Sequence, residues 1–298
     1  MIRRNVLIFH PGALGDFVLS WPLALAAGRM FPQSRIIYVT ARSKGKLAER
    51  ALRVESADIE AGWHLLFAEN APLPEGCRKM LDAAHTIIAF NGAGDQLKRA
   101  APEARVIGLH ARPAAGAASH AIDFLIEQLA AHAALQEGVK QIVKLIRQRG
   151  LISPWPGTKI DVLIHPGSGS PGKCWGIEKF AELADLLQKS GRSVRFVIGE
   201  VELERWSETD RQRLSRTAPV AQPSDYLALM DEITHTKVFV GNDSGPGHLA
   251  AVLGASTISL FGDTNPKVWA PLGPRVCVIE NMNGVDPSKV ERAISALG

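Results

Sequence analysis

Short apolar runs alternate with longer amphipathic segments along most of the chain. This alternation is typical of β-α units arranged around parallel sheets. The apolar runs predict these strands: Asn5–Phe9, Arg35–Thr40, Thr86–Phe90, Arg105–Leu109, Asp161–Ile164, Val194–Ile198, Val238–Val240 and Thr257–Phe261. The segments between them predict these helices: Asp16–Met30, Arg78–Ala84, Ile177–Ser190, Ser224–Thr234, Pro246–Leu253 and Ser288–Leu297, with a longer helical region from His120 to Arg149. The pattern therefore predicts an α/β protein built from two βα series.

The segment Gly150–Gly157 separates the two series. Its two prolines and two glycines cannot continue a helix, so we interpret it as an interdomain linker. The predicted domains are 1–152 and 158–298, and a length of 298 residues suits about two domains. Whether the last helix, Ser288–Leu297, packs back on the first domain stays open.

The two series begin alike. Leu7–Gly12 and Val162–Gly167 each run an apolar strand into His-Pro-Gly. In open parallel sheets the loops after the carboxyl ends of the strands carry the ligand site. The repeat therefore predicts two similar domains whose His-Pro-Gly loops face a shared cleft.

Composition narrows the class of partner. With 46% apolar and 21% charged residues, the chain has the composition of an ordinary globular protein. A net charge of +4 suits an anionic substrate or an acidic membrane surface, although a solvated surface with a few more cations explains it equally well. The charge is too weak and dispersed to predict nucleic-acid binding.

The first residues and the cysteines bear on the cellular compartment. Three cysteines without a CxxC pair fit a reducing compartment and not a disulfide framework or a zinc site. Arg3 and Arg4 precede an apolar stretch that resembles a secretory signal, but His10–Gly12 and Gly15-Asp16 interrupt it. No apolar run reaches the roughly 18 residues that span a bilayer. We therefore expect a cytoplasmic protein.

A loop with two glycines, His10–Gly15, precedes Asp16 at the predicted start of the first helix. Glycine lets the backbone approach a ligand closely, but the loop matches neither GxGxxG nor the P-loop. Asp16 is either a helix N-cap or a carboxylate at the mouth of the cleft, able to take a proton from a substrate hydroxyl.

A second loop, His165–Trp175, is rich in small residues and ends in Lys173, Cys174 and Trp175. Exposed backbone amides with a lysine form a cradle for phosphate. The alternative is a surface loop with an incidental lysine. We interpret Cys174 as a packing residue, since no acid-base partner lies near it in the sequence.

The stretch Val240–Ala251 carries the most specific signal. A strand ends at Gly241, a polar turn follows, and Pro246 suits the first turn of a helix. The helix would present amides from Ser244 to Gly247, and these favour a diphosphate together with the helix dipole. The alternatives are that Asp243 and Ser244 are caps and that His248 is a packed histidine.

Two softer signals follow other strands. Glu200 and Glu202 come just after a strand, where a carboxylate accepts hydrogen bonds from ribose hydroxyls, although surface charge is an equally good explanation. Asp263 and Thr264 lie in a loop that is predicted to close the same edge of the cleft.

Taken in order, these stretches resemble glycosyltransferase family 9, the heptosyltransferase family of lipopolysaccharide core assembly. The stretches that carry the likeness are Gly12–Asp16, His165–Trp175, Asp243–Ala251 and Leu260–Pro266. The resemblance implies a GT-B fold, with two Rossmann-like domains facing across a cleft and the donor bound mainly by the second. It also implies heptose transfer from ADP-heptose with inversion, without a metal or other cofactor.

The resemblance further implies roles for single residues. Asp16 would be the general base, and Lys173 would stabilise the leaving diphosphate. The implied donor-binding residues are Ser168, Glu202, Asp243, Ser244, Gly245, Gly247 and His248, with Glu200 as a rival to Glu202 for the ribose. A leaving diphosphate needs a positive partner when no metal is present, and a lysine with a helix N-terminus supplies it.

The expected partners are a nucleotide-sugar donor and a glycan or glycolipid acceptor, with peripheral contact at the inner membrane and no nucleic acid. The acceptor-side loops Arg42–Lys46 and Asn91–Gln96 match nothing that we can assign, so acceptor, sugar and nucleotide stay open. Two alternatives are a protein that binds a sugar nucleotide without transferring it and a sugar-nucleotide epimerase or hydrolase on the same fold. Asp16 favours transfer, because a pure binder needs no base there.

Overall fold

The computed structural model describes residues 4–68, 71–90, 92–152 and 158–297. Its contacts divide the chain into two compact units, Met1–Val143 and Lys144–Gly298. The predicted domain limits, 1–152 and 158–298, stay a prediction.

The first unit is built on a sheet of parallel strands. These are β1 (Asn5–Phe9), β2 (Arg35–Thr40), β3 (Glu55–Asp58), β4 (Ala84–Phe90) and β5 (Arg105–Leu109), in the order β3-β2-β1-β4-β5. The helices are α1 (Leu14–Leu19), α2 (Trp21–Met30), α3 (Arg42–Leu52), α4 (Glu75–Asp82), α5 (Gly94–Ala100), α6 (Ala121–Gln128) and α7 (Ala133–Arg149), the last of which enters the second unit.

β1 forms the centre of this sheet. Each of its residues is buried, as expected for an apolar strand that has parallel neighbours on both sides. Val6 pairs with Ile36 of β2 and with Thr86 of β4. Because the strand order reverses at β1, its carboxyl end opens onto a switch point, where ligands of open α/β sheets bind.

The second unit has a six-stranded parallel sheet. Its strands are β6 (Ile160–His165), β7 (Val194–Val197), β8 (Val220–Ala221), β9 (Thr236–Asn242), β10 (Ser256–Leu260) and β11 (Val276–Ile279), in the order β11-β10-β9-β6-β7-β8. Its helices are α8 (Ile177–Lys189), α9 (Glu200–Arg205), α10 (Glu208–Thr217), α11 (Tyr226–Thr234), α12 (Gly245–Leu253), α13 (Pro266–Trp269) and α14 (Pro287–Leu297).

The strand order of this sheet reverses between β6 and β9. The loops that leave these two strands therefore begin side by side, and they include the two stretches in which the sequence predicts phosphate binding. α14 contributes Val290 and Ile294 to the core of its own unit.

Several boundaries differ from the predicted ones. The helix predicted over Asp16–Met30 is divided at Ser20, and Pro22 lies in the first turn of the second piece, where a proline is tolerated. Arg42–Lys46, predicted to be a loop, forms the start of α3. In the Asn91–Gln96 stretch, Asn91 lies outside the described residues, and α5 begins at Gly94.

The predicted linker is described only in part. The N–H groups of Leu151 and Ile152 donate to the carbonyls of Val252 and Leu253, at 2.9 Å in each case. Residues 153–157 of the predicted linker lie outside the described residues. In the part of the chain that the structure describes, no helix combines the length and apolar character needed to cross a bilayer.

Candidate functional site

The start of α12 forms the centre of the candidate site in the second unit. Ser244 is the N-cap, and Pro246 lies in the first turn, as predicted. Gly247, one of the predicted amide donors, directs its N–H to the carbonyl of Ser244 at 3.1 Å. At this helix start, the N–H groups of Ser244 and Gly245 donate to no backbone carbonyl of the described residues. They are the amides that an anion would meet.

Asp243 lies next to this helix start, and polar groups from two other loops bind it. Its Oδ2 accepts hydrogen bonds from Lys173 Nζ and Thr264 Oγ1, both at 2.8 Å. Its backbone carbonyl accepts a hydrogen bond from Ser168 Oγ at 2.9 Å. Asp243 is only 6% exposed at the side chain, whereas Lys173 is 33% exposed. The buried carboxylate therefore holds a lysine whose side chain is still partly exposed.

Asn242, the last residue of β9, ties the loops of the switch point together. Its Nδ2 donates to the carbonyls of Pro166 at 2.8 Å and Gly167 at 3.3 Å. Its Oδ1 accepts the N–H of Trp175 at 3.0 Å. Asn242 was not predicted as a site residue, because its role depends on the loop after β6, which only the sheet order brings next to it.

The other predicted donor residues of this unit are placed nearby. His248 is buried, with Nε2 4.0 Å from Asp243 Oδ1. Asp263 stands against Gly172, where an added Cβ would come within 2.3 Å of Asp263 Oδ2. The two loops therefore lie close together at this point.

The two carboxylates of α9 differ in their surroundings. Glu202 is buried, and its Oε2 accepts the N–H of Gly199 at 2.8 Å and lies 3.8 Å from Nε2 of His165. Burial raises the pKa of Glu202, but the neighbouring His165 and the Gly199 N–H lower it more, so the pKa lies below its usual range. Glu200 is exposed. Of the two, Glu202 therefore belongs to the packed part of the site.

Asp16 occupies the first unit, in the first turn of α1 at the carboxyl end of β1. The alternative that Asp16 is a helix N-cap is wrong, because the N-cap is Ala13 and no side chain caps this helix. Its Oδ2 instead accepts a hydrogen bond from Arg112 Nε at 2.8 Å and forms an ion pair with Arg112 Nη2 at 2.7 Å. The side chain of Asp16 is 9% exposed and that of Arg112 is 65% exposed.

Two cations near Asp16 were not predicted. Arg112 follows Asp16 by 96 positions, so no sequence spacing links the two. Lys44, at the start of α3, is buried and donates to the carbonyl of Gly12 in the loop that precedes α1. Burial lowers the pKa of Lys44, while the charge of Asp16 raises it, and the net change is downward. The loop before Asp16 is thus held by a buried ammonium.

Each unit therefore presents a distinct chemistry at its own switch point. The first offers a carboxylate that is shielded on most sides and paired with an arginine, which suits proton transfer. The second offers a helix N-terminus and a lysine, which together suit a phosphate group. Among the described residues, no group of three or more His, Cys, Asp or Glu side chains is placed to hold a metal ion.

The two parallel sheets define an α/β protein, and its fold class is GT-B. The sequence profile of Glycosyltransferase family 9 (heptosyltransferase) matches residues 117–295. The chain belongs to this family. The predicted family and fold class are both confirmed.

Curated relatives match over shorter stretches. Lipopolysaccharide heptosyltransferase 3 of Escherichia coli K12 is 34% identical over 113 residues, which cover 37% of this chain and 33% of that protein. Lipopolysaccharide heptosyltransferase 1 of Pseudomonas aeruginosa is 34% identical over 124 residues, which cover 40% of this chain and 33% of that protein. The chain thus matches about a third of the length of these relatives.

Solved structures show the same fold over nearly the whole chain. E. coli heptosyltransferase WaaC with ADP has a TM-score of 0.68 at 16% identity, covering 99% of this chain and 100% of that one. A glycosyl transferase family 9 structure from Veillonella parvula has a TM-score of 0.70 at 18% identity, covering 99% and 97%. The iron-containing glycosyltransferase TibC of enterotoxigenic E. coli has a TM-score of 0.51 at 14% identity, covering 93% and 62%.

Proposed function

We propose that this protein is an inverting glycosyltransferase that moves a heptose from ADP-heptose to a lipopolysaccharide-core acceptor. Membership of glycosyltransferase family 9 supports sugar transfer, and the curated relatives are lipopolysaccharide heptosyltransferases. ADP as the nucleotide is supported by the WaaC structures, one of which holds ADP and another ADP-2-deoxy-2-fluoro heptose.

The observation that carries the proposal is the position of Lys173 beside the start of α12. The ammonium is held by the buried Asp243 at 2.8 Å, and Asp243 directly precedes Ser244 and Gly245, whose N–H groups begin the helix. A diphosphate bound there would gain charge as the glycosidic bond breaks, and fixed donors of this kind stabilise developing charge most effectively. In this proposal no metal is required.

Asp16 acts as the general base in the proposed reaction. The acceptor hydroxyl gives its proton to the Asp16 carboxylate while its oxygen attacks the anomeric carbon of the donor. The bond from that carbon to the diphosphate oxygen breaks, and the diphosphate leaves with the electron pair. A single displacement of this kind inverts the anomeric configuration.

The remaining residues would bind the donor. We propose that Glu202 accepts hydrogen bonds from the ribose hydroxyls and that Glu200, exposed in the same helix turn, is its alternative. Ser168 and His248 would line the diphosphate pocket, since both lie against Asp243. Gly247 would keep the first turn of α12 open, because it lacks a side chain there.

We place the reaction in the cytoplasm, where a glycolipid acceptor would be met at the inner membrane surface. The net charge of +4 favours approach to an anionic surface.

A donor panel combined with one variant tests the proposal. Purified protein is offered ADP, UDP, GDP and their sugars, and binding and transfer to a lipopolysaccharide-core acceptor are measured. We expect ADP and ADP-heptose to bind best. Asp16→Asn should lower kcat by a factor of roughly 100 to 10,000, as for other general bases, with donor affinity nearly unchanged.

The outcomes separate this proposal from its rivals. Equal binding of all nucleotides would overturn the assignment of ADP. Tight ADP-heptose binding with no transfer would indicate a binding protein, and release of free heptose without an acceptor would indicate a hydrolase. If circular dichroism showed that Asp16→Asn is unfolded, the role of Asp16 would be to stabilise the fold.

A further inference from the structure

The first His-Pro-Gly loop is fixed through its carbonyl groups. Thr40, the last residue of β2, donates from Oγ1 to the carbonyl of His10 at 2.8 Å. Lys44, in the first turn of α3, donates from Nζ to the carbonyl of Gly12 and lies 3.5 Å from that of Pro11. Three successive carbonyls thus contact donors on side chains of the next strand and helix. The loop that leads into α1 is therefore held from the side of β2.

Lys44 is unusual because its charge is buried. It is only 7% exposed, and its Nζ lies 5.8 Å from the centre of the Phe17 ring. Burying an ammonium costs free energy unless hydrogen bonds and an opposite charge replace its water. The corresponding loop of the second unit is held without a charge, since the Asn242 amide donates to the carbonyls of Pro166 and Gly167. Holding a His-Pro-Gly loop therefore does not in itself require a charge.

The opposite charge that Lys44 faces is Asp16. Asp16 lies four positions after Gly12, and a Cβ added to Gly12 would come within 3.5 Å of the Asp16 Cβ. Burial lowers the pKa of Lys44, and the charge of Asp16 opposes that change. Arg112, which holds Asp16 Oδ2, is 65% exposed at the side chain, so solvent screens its charge more than that of Lys44. Lys44 thus faces the carboxylate from the interior, and Arg112 faces it from the solvent side.

We propose that Lys44 is a positioning residue for the Asp16 base, which fixes the loop before α1 and balances the charge of the carboxylate from the interior. Lys44 touches neither substrate in this role. The point at which the carboxylate meets the acceptor hydroxyl depends on this loop, and a shift of about 1 Å at such a point lowers a rate roughly a hundredfold. The inference rests on the proposed function, because it takes Asp16 as the base of that reaction.

Lys44→Met tests this role, since it keeps an apolar stem of similar size but removes the charge and the N–H donors. We expect kcat for transfer to fall roughly 10- to 100-fold, the size of a lost hydrogen bond from a charged group. The affinity for ADP should stay within about twofold of wild type, because the proposed donor site lies in the second unit. Lys44→Arg keeps the charge and the donors and should therefore lose less kcat than Lys44→Met.

Lys140→Met is the matched control. Lys140 is an exposed lysine of α7 in the same unit. Its substitution should leave both kcat and ADP affinity unchanged. Steady-state kinetics with saturating donor and acceptor measures kcat, and isothermal titration calorimetry measures ADP binding.

A double-mutant cycle tests whether Lys44 acts through Asp16. In an Asp16→Asn background, Lys44→Met should change the remaining kcat by less than about twofold, since no base remains to be positioned. A residue that only stabilises the fold would lower kcat by the same factor in both backgrounds. A radiolabelled donor makes the low activity of this background measurable.

Gly12→Ala displaces the same loop without touching the lysine. An added Cβ would come within 2.9 Å of Cε1 of His10, whose ring is buried beside Phe17 and Phe90. The loop must therefore shift, and kcat should fall as it does in Lys44→Met, with ADP affinity again unchanged. Gly76→Ala is the control in the same unit, because a Cβ there meets nothing within 4 Å.

The outcomes separate this inference from the proposed function. Wild-type protein that neither binds ADP nor transfers a sugar would overturn the proposed function, and wild-type kcat in Asp16→Asn would overturn the assignment of the base. If Asp16→Asn loses kcat as proposed and Lys44→Met does not, only the positioning role fails. Equal losses from Lys44→Met in both backgrounds would also overturn it. If circular dichroism shows that Lys44→Met is unfolded, Lys44→Arg and Gly12→Ala decide the matter in the same cycle.

Discussion

Two histidines in identical tripeptides have opposite surroundings. His10 is fully buried beside the rings of Phe17 and Phe90, and neither of its ring nitrogens has a hydrogen-bond partner among the described residues. Burial, and then the charge of Lys44, lowers the pKa of His10 to about 3, so the ring is neutral at physiological pH. His165, in contrast, contacts a carboxylate and a hydroxyl. The chemistry of each ring is set by its neighbours and not by the shared motif.

Arg112 provides a prediction at the residue scale. Arg112→Ala should lower kcat for transfer on the order of tenfold, because the Asp16 carboxylate loses the group that fixes its orientation. The kcat of Arg112→Lys should fall between those of wild type and Arg112→Ala, since a lysine offers a charge without the paired contacts. Steady-state kinetics with saturating donor measures the effect.

Arg78→Ala is the matched control for Arg112. Arg78 lies in the same unit and pairs with Asp82, one turn further along its own helix. Its removal should leave kcat unchanged. A rise in kcat for Arg112→Ala would contradict our interpretation, because it would show that the arginine restrains the base.

At the scale of elements, polar groups also connect the amino ends of neighbouring strands in the second sheet. Asp161 of β6 accepts hydrogen bonds from Lys237 of β9 at 2.6 Å and from the N–H of Ser193, just before β7, at 2.9 Å. The hydrogen bond from Lys237, followed by that of the Ser193 N–H, lowers the pKa of Asp161 to about 2. This cluster links three neighbouring strands at the edge opposite to the candidate site.

The lowered pKa of Asp161 gives a pH-dependent prediction. Asp161→Asn should lower the free energy of unfolding at pH 7 by roughly 1 kcal/mol, as expected for a partly exposed, solvent-screened cluster. The folded pKa is below the ordinary value, so the wild-type advantage exists above about pH 4 and is lost as the pH falls towards 2. Urea unfolding of both proteins at pH 7, 4 and 3 measures the difference.

Asp185→Asn is the control for this series. Asp185 is an exposed carboxylate of α8 in the same unit. Its substitution should change the free energy of unfolding by less than about 0.5 kcal/mol. A difference between wild type and Asp161→Asn that is the same at pH 7 and pH 3 would exclude an ionic contribution from Asp161.

At the scale of the whole molecule, both units place their polar chemistry where the strand order of their sheet reverses. In the first unit this point is the carboxyl end of β1, which leads to Asp16. In the second it is the pair β6 and β9, which leads to Lys173 and Asp243. In the proposed transfer reaction, one unit would supply the base and the other the anion site.

Metal removal tests the proposed charge balance of the whole enzyme. Transfer should continue at the same rate after dialysis against EDTA, and added Mg²⁺, Mn²⁺ or Fe²⁺ should not raise it, because Lys173 and the α12 amides would bear the diphosphate charge. Iron belongs in the series because TibC, which shares the fold, is iron-containing. Activity that is lost with EDTA and restored by one of these ions would overturn metal independence.

Predictions from the sequence succeeded where local patterns determine the structure. β1, β2 and β5 have the predicted bounds, because each is an apolar run between turn residues. β3, β8 and β11 escaped prediction. Glu55–Asp58 is polar, Val220–Ala221 is very short, and Val276–Ile279 is a run of only four residues. These edge strands form because a neighbouring strand offers hydrogen bonds, and a local pattern does not contain that information.

The sequence by itself determined the two βα series, the family and the loops that hold the candidate residues, because strand periodicity, helix starts and motifs are local properties of the chain. Only the tertiary structure decided which distant groups meet. The pairs Asp16 with Arg112, Lys173 with Asp243 and Glu202 with His165 are separated by 96, 70 and 37 positions. Sheet order brings such groups together, and the packing around them buries them. The neighbours and the burial together set the role that each carboxylate can have.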